Sequence, residues 1–277
     1  MQNPINYLAG AALLATVATA GMALNARAAD DIDTLIDRAL TGDHRSDANK
    51  ARDKYRHPKE ALRFFGFEAD MTVVEITPGR GWYTEILAPT LRERGTFYAA
   101  VYAITDSTPA YLKAIDRDYR AMLAANPGKY GKVKLSVISP GSLQVVPPGS
   151  ADMVLTFRNV HNWAKADSAD AMFKAFHDAL KPGATLGVID HRAKPGTPFE
   201  QQIATGYMTE SYVIETAQKA GFKLANKSEI NANPRDTADH PEGVWTLPPT
   251  LRMGDRDRAK YLAIGESDRM TLRFVKP

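Results

Sequence analysis

Met71 to Leu87, MTVVEITPGRGWYTEIL, decides the fold. Val73, Val74 and Ile76 make a short β-branched run with the composition of a buried strand. Glu75 interrupts it near its carboxyl end, where a carboxylate can face a crevice beyond the strand instead of the core. Pro78, Gly79 and Gly81 force a turn in which backbone can approach a ligand without a Cβ in the way. Trp82, Tyr83, Ile86 and Leu87 return at helical spacing, predicting a helix that opens at about Arg80 and is kinked or shortened at Pro89. A helix N-terminus aimed at a crevice offers free N–H groups and partial positive charge, which suits a nucleotide-type ligand. The same pattern also fits a plain strand–helix turn that binds nothing.

The rest of the chain surrounds this unit with more of the same kind. Pro58 to Phe65 reads as a helix with proline at its first position and Gly66 as its cap. Ile32, Leu35, Ile36, Ala39 and Leu40 form one apolar helical face, a cover over the domain. Thr41 to Arg56 reads as a charged, solvated linker. Further strands are expected at 97–102, 133–138, 152–157, 185–189, 222–230 and 271–275, with helices at 109–125, 169–180 and 209–220. Apolar strands alternating with amphipathic helices predict a doubly wound α/β domain with a mostly parallel sheet covered on both faces, and a ligand beyond the carboxyl ends of its strands. The polar excursion 231–269 is long for a structureless connection and reads as a possible lid.

The 277 residues are 44% hydrophobic and 24% charged, which suits a single domain over 30–277, with 30–66 as its helical cover. The net charge of +3 is spread among interspersed acids and bases, so nucleic acid is not an expected partner. Absence of cysteine excludes disulfides, thiolate metal sites and a cysteine nucleophile. Residues 1–29 read as a cleaved signal peptide: a soft apolar run from Leu8 to Leu24 precedes the small residues around Ala26, Ala28 and Ala29, though no basic residue precedes the run. That run is too short for a comfortable membrane span, so the expected location is periplasmic or secreted, without stable membrane insertion, and cytoplasmic as the alternative.

Glu75-Ile76-Thr77-Pro78-Gly79-Arg80-Gly81 resembles the glycine-rich first motif of class I S-adenosylmethionine-dependent methyltransferases, with Thr77 at the first glycine. Asp152 to Trp163, DMVLTFRNVHNW, resembles that family's fourth strand and the loop after it, and Leu180-Lys181-Pro182-Gly183 its turn before strand five. Most similar is a group of predicted methyltransferases that carry PGxGWYTEILAP, RNVHNW and a DHR-like end to strand five; the likeness spans about residues 55–275. It implies a Rossmann-like methyltransferase fold with seven strands, adenosylmethionine as cofactor and a small-molecule substrate. Glu75 would then interact with the cofactor's amino group, and Thr77, Pro78, Gly79 and Gly81 with its methionine portion. Tyr83, Arg158 and Asn159 would join them, and Ser142 would be the one polar side chain beside the adenine. One element of the pattern is missing: Tyr102 and Ala103 stand where an acid should bind the ribose hydroxyls. Adenosylmethionine is made in the cytosol, so either the leader does not export the chain or an exported fold has another task.

Read from chemistry alone, His161 can act as acid or base near neutral pH, and an Asn-His-Asn loop can equally be a capped turn. Asp190 and His191 suit proton abstraction, while Asp190 with Arg192 could simply close a strand. Trp163 is expected to pack, and Tyr83 to be core or cofactor wall. No metal is expected, because His161, His191 and His240 would have to converge from three distant loops.

Overall fold

The computed structural model describes residues 32–139 and 141–277; the expected signal peptide lies outside the described residues. Seven strands form one sheet: β1 (Thr72–Ile76), β2 (Thr96–Tyr102), β3 (Lys134–Ile138), β4 (Ala151–Phe157), β5 (Leu180–His191), β6 (Lys223–Ser228) and β7 (Arg269–Val275). Their order is β3-β2-β1-β4-β5-β7-β6. The first five run parallel, and β7 is antiparallel to both β5 and β6. The order reverses between β1 and β4, so the crevice of such a sheet opens there, beside the glycine turn.

Side-chain alternation divides the core. Val74, Ile76 and Val154 pack with Trp163, Phe173 and Phe176 on one face. Val73, Met153 and Leu155 pack with Phe65, Ile86, Leu87 and Tyr119 on the other, which the helix over 32–41 extends through Ile32 and Ile36. Each such side chain contributes about 1.5–3 kcal/mol of burial, enough to hold the strand register.

Three local expectations need correction. The helix after the turn begins at Thr84, four residues late, because Gly79 (φ 62°) and Gly81 (φ 87°) adopt left-handed backbone that an α-helix excludes. β5 starts at Leu180, ahead of the expected 185, because Lys181 holds Asp152 at 2.6 Å and the Gly183 N–H donates to the Lys276 carbonyl at 2.7 Å.

The third correction concerns 41–56, which folds into two short helices, Asp47–Lys50 and Asp53–Arg56. The buried Arg45 lies between Asp53 (2.7 and 2.8 Å) and Glu85 (3.4 Å), and the Asn49 amide donates to both Glu85 oxygens. The Trp82 indole donates to the Asn49 carbonyl at 3.0 Å. This segment is therefore fastened to the helix that follows the glycine turn.

The excursion 231–269 contains a short 3₁₀ turn, Gly243–Thr246, and a helix, Arg258–Ile264. Asp236 is its hub, accepting from the Tyr207 hydroxyl (3.0 Å) and from the backbone N–H groups of Ala238 (2.9 Å) and Asp268 (2.7 Å), with His240 Nε2 at 2.8 Å. No helix among the described residues is long and apolar enough to cross a membrane.

Candidate functional site

Two connected chambers open beyond the carboxyl ends of the parallel strands. The larger, about 960 Å³, lies between the glycine turn, the end of β2 and the helix Ala110–Ala125, with Tyr102, Ile104 and Tyr111 among its walls. The smaller, about 250 Å³, is bounded by Glu75, Tyr83, Arg158 and His191, and is covered by Trp245, Pro248 and Pro249 from the excursion. Thr77, Pro78, Gly79, Asn159 and His161 line both and form their common rim.

The glycine turn divides its labour. A Cβ built on Gly79 would meet nothing within 4 Å, so its positive φ opens the backbone toward the crevice. A Cβ on Gly81 would lie 2.6–2.7 Å from the end of Met122. Gly81 therefore seats the turn on helix Ala110–Ala125 and lines neither chamber, contrary to the ligand role expected of it. Thr77 has φ 46°, an outlier for a β-branched residue, and its buried hydroxyl has no partner. Unpaired buried hydroxyls and non-glycine backbone outliers concentrate at ligand sites.

Glu75 sits beneath the rim, 2% exposed, and accepts a 2.6 Å hydrogen bond from the Thr84 hydroxyl. Burial pushes its carboxyl up to about 8, against the opposing Thr84 bond, so at neutral pH it is largely protonated. Tyr83 stacks on Phe157, rings 3.5 Å apart and nearly parallel, and forms a wall.

The loop after β4 is a short helix, Val160–Lys165, preceded by Arg158 with φ 64°. The Asn159 amide nitrogen is spent on the Ile76 carbonyl (3.0 Å) and the Thr156 hydroxyl (3.1 Å), tying β1 to β4, so a ligand could use only its Oδ1. Trp163 packs on Phe173 and Phe176 as expected, and its indole donates to the Tyr102 hydroxyl at 2.7 Å. The position expected to hold an acid for the ribose is thus a tyrosine held by tryptophan.

Two of the three histidines do converge. His161 and His191 lie 5.6 Å apart, ring to ring, with His161 Nδ1 3.4 Å from Asp190 Oδ1. His240 turns away to Asp236 and Tyr261. Asp190 is fully buried, its oxygens taken by the backbone N–H groups of Val160 and His191, both at 2.7 Å. It lines neither chamber, which places it behind His161 and removes it from contact with a substrate. His191 Nδ1 lies 2.5 Å from the Ser267 hydroxyl. Burial, followed by the charges of His161, Arg269, Arg158 and Arg56, holds His191 well below the ordinary histidine value, so it is neutral at pH 7.

Ser142 is exposed, bridged to Ser139, follows the edge strand β3 and lines neither chamber, contrary to the adenine contact expected of it. Conversely, sequence reasoning missed Arg56 and Arg269, both buried and both lining the small chamber. Arg56 lay in the supposed linker, and Arg269 at the junction of the excursion with β7. Their only signal was an arginine next to an apolar element.

No protein-family model matches this chain, and no curated protein matches it. Among solved structures it is similar to a SAM-dependent methyltransferase from Aquifex aeolicus, with TM-score 0.51 and 16% identity over 82% of this chain and 93% of that one. It is also similar to the [4+2]-cyclase SpnF, with TM-score 0.56 and 17% identity over 86% of each chain. A third is phosphoethanolamine N-methyltransferase 2 of Haemonchus contortus in complex with S-adenosyl-L-methionine, with TM-score 0.52 and 17% identity over 80% of this chain and 53% of that one. At such identities the likeness is one of architecture: the chain has the Rossmann-like methyltransferase fold.

Proposed function

We propose that this protein is an S-adenosylmethionine-dependent methyltransferase acting on a small molecule. The observation that carries the reading is the rim over Gly79 at the sheet's reversal point: open backbone, an unpaired Thr77 hydroxyl and the Glu75 carboxyl below it. The cofactor would supply an electrophilic methyl group. Its adenosine would occupy the large chamber against Tyr102 and Tyr111, and its amino group would reach Glu75 across the rim. Methyl transfer needs mainly an aligned donor and acceptor shielded from water, and Trp245 with the two prolines gives the small chamber an apolar side toward that end. In this reading 231–269 is a lid over the single domain. His161, at the rim and oriented by Asp190, takes a proton where the acceptor has one to lose, and the neutral His191 can do so from the small chamber.

One observation favours a second reading. The end of β2 offers Tyr102 and no carboxylate, so the ribose lacks an acidic partner there, and Ser142, the polar side chain expected beside the adenine, lines neither chamber. The fold would then serve as a weak or inactive relative binding a metabolite, in the periplasm if the leader exports it. The [4+2]-cyclase illustrates that this fold carries other tasks. Calorimetric titration with adenosylmethionine and adenosylhomocysteine separates the two: no heat at millimolar ligand refutes the enzyme and leaves the binder.

A further inference from the structure

Three guanidinium groups line the small chamber. Arg56 and Arg269 are 3% and 2% exposed, and Arg158 stands beside them. One carboxylate answers Arg56 and Arg269, and leaves Arg158 without a contact. Glu266 takes Arg52 Nε at 2.6 Å, Arg56 Nε at 3.0 Å and a short contact from Arg269 Nη2. These arginines hold its carboxyl far below the usual carboxylate range despite burial. Four cations thus share one anion.

The surplus is visible atom by atom. Arg56 Nη2, Arg269 Nε, Arg158 Nε and Arg52 Nη2 are buried without partners. Among the described residues the Arg158 guanidinium makes no hydrogen bond or ion pair, and its backbone is held at positive φ to bring it there. Asp190, the next acid, is spent on backbone N–H groups. Burying uncompensated charge is costly, and a fold retains it where a ligand supplies the opposite charge.

His161, Asp190 and His191 could present ligand atoms within 4.8 Å of one another, the usual look of a cation site. The same three arginines decide against it, because a divalent cation there would add positive charge beside guanidiniums whose one paired acid is Glu266, while Asp190 is already held by two backbone N–H groups. The field selects an anion, and planar guanidiniums suit the oxyanions of carboxylate or phosphate.

Resting on the methyltransferase reading above, we propose that the small chamber binds the oxyanion of an acidic methyl acceptor, a carboxylate or phosphate held by Arg56, Arg158 and Arg269. The acceptor's nucleophilic atom then lies toward the rim, where the donor arrives.

The test uses inorganic phosphate and succinate as probes, with sodium chloride at matched ionic strength to remove general screening. Thermal unfolding and calorimetry are read for the full chain and for Arg158→Gln, with and without saturating adenosylhomocysteine. Expected are saturable binding beyond chloride, about tenfold or more weaker in Arg158→Gln, and a higher unfolding midpoint of that variant without ligand, because it loses a repelled charge and no hydrogen bond. The anion must also still bind alongside adenosylhomocysteine. No saturable anion effect overturns the proposal, as does undiminished binding by Arg158→Gln. Loss of anion binding on adding adenosylhomocysteine also overturns it, by giving the arginines to the cofactor's own carboxylate. Anion binding with no adenosylhomocysteine binding at all overturns the methyltransferase reading alone and leaves the oxyanion site to a binding protein.

Discussion

Glu75→Gln should stabilise the protein increasingly as pH rises. A carboxyl whose folded value lies above its unfolded one holds a proton that the unfolded chain releases, so its contribution is full at low pH and is lost as pH climbs from 4.5 toward 8. At about 1.36 kcal/mol per pH unit, a rise from 4.5 to about 8 amounts to about 5 kcal/mol in all, and to about 3 kcal/mol by pH 7. Glutamine keeps an acceptor for the 2.6 Å Thr84 bond and never ionises, so it isolates the charge. His191 acts in the opposite sense: its depressed value costs stability as pH falls through 6.5, equally in both proteins, so it cancels in the difference. Urea unfolding at pH 5, 6, 7 and 8 should give a variant-minus-parent difference that grows from about 1 kcal/mol at pH 5 to about 3 kcal/mol at pH 7. A difference that stays constant across that range would refute the reasoning. If a ligand ammonium pairs with this carboxylate, adenosylhomocysteine affinity should also rise with pH in the parent and stay flatter in the variant.

Gly79→Ala and Gly81→Ala should separate binding from folding: each costs about 1–2 kcal/mol of backbone strain, Gly81→Ala more because Met122 must move, while Gly79→Ala alone places a methyl in the open crevice and weakens adenosylhomocysteine in calorimetry. Tyr102→Asp should tighten adenosine-containing ligands by restoring a ribose carboxylate, at about 1–3 kcal/mol of stability from the stranded Trp163 N–H; unchanged affinity would place the ribose elsewhere. Asp236→Ala removes the acceptor of four groups and should cost about 3 kcal/mol, with amide exchange in 231–268 accelerating ahead of the sheet; uniform acceleration would show that the excursion is no separate unit.

The sheet was legible because its signals are local and repeated: β-branched runs between helices with two or more turns of periodicity, such as 110–125 and 169–179. Asp47–Lys50, Asp53–Arg56 and Arg258–Ile264 are too short to show a period, so the first two passed for linker and the third for loop. Within the site, the rim of Thr77, Pro78, Gly79, Asn159 and His161 followed from one turn and one loop of known type. The different work of Gly79 and Gly81 depends on what a helix thirty to forty residues away presents, which no local pattern carries. Arg56 was invisible for the same reason, since its carboxylate partner Glu266 lies 210 residues further on, and Arg269 because the chamber it lines is walled by residues from the first half of the chain.

That separation has a consequence of timing. Arg52 and Arg56 meet Glu266 across 214 and 210 residues, and Arg269 reaches the Tyr55 carbonyl across 214. The small chamber is a clasp between early and late sequence, so a growing chain has no such cavity until residue 269 has emerged. Contacts of that span form late, because loop closure must be paid before they reward it. Ligand occupancy of this chamber would therefore report a finished molecule, and a fragment carrying the whole glycine turn and β1 to β5 would hold the rim yet lack the clasp.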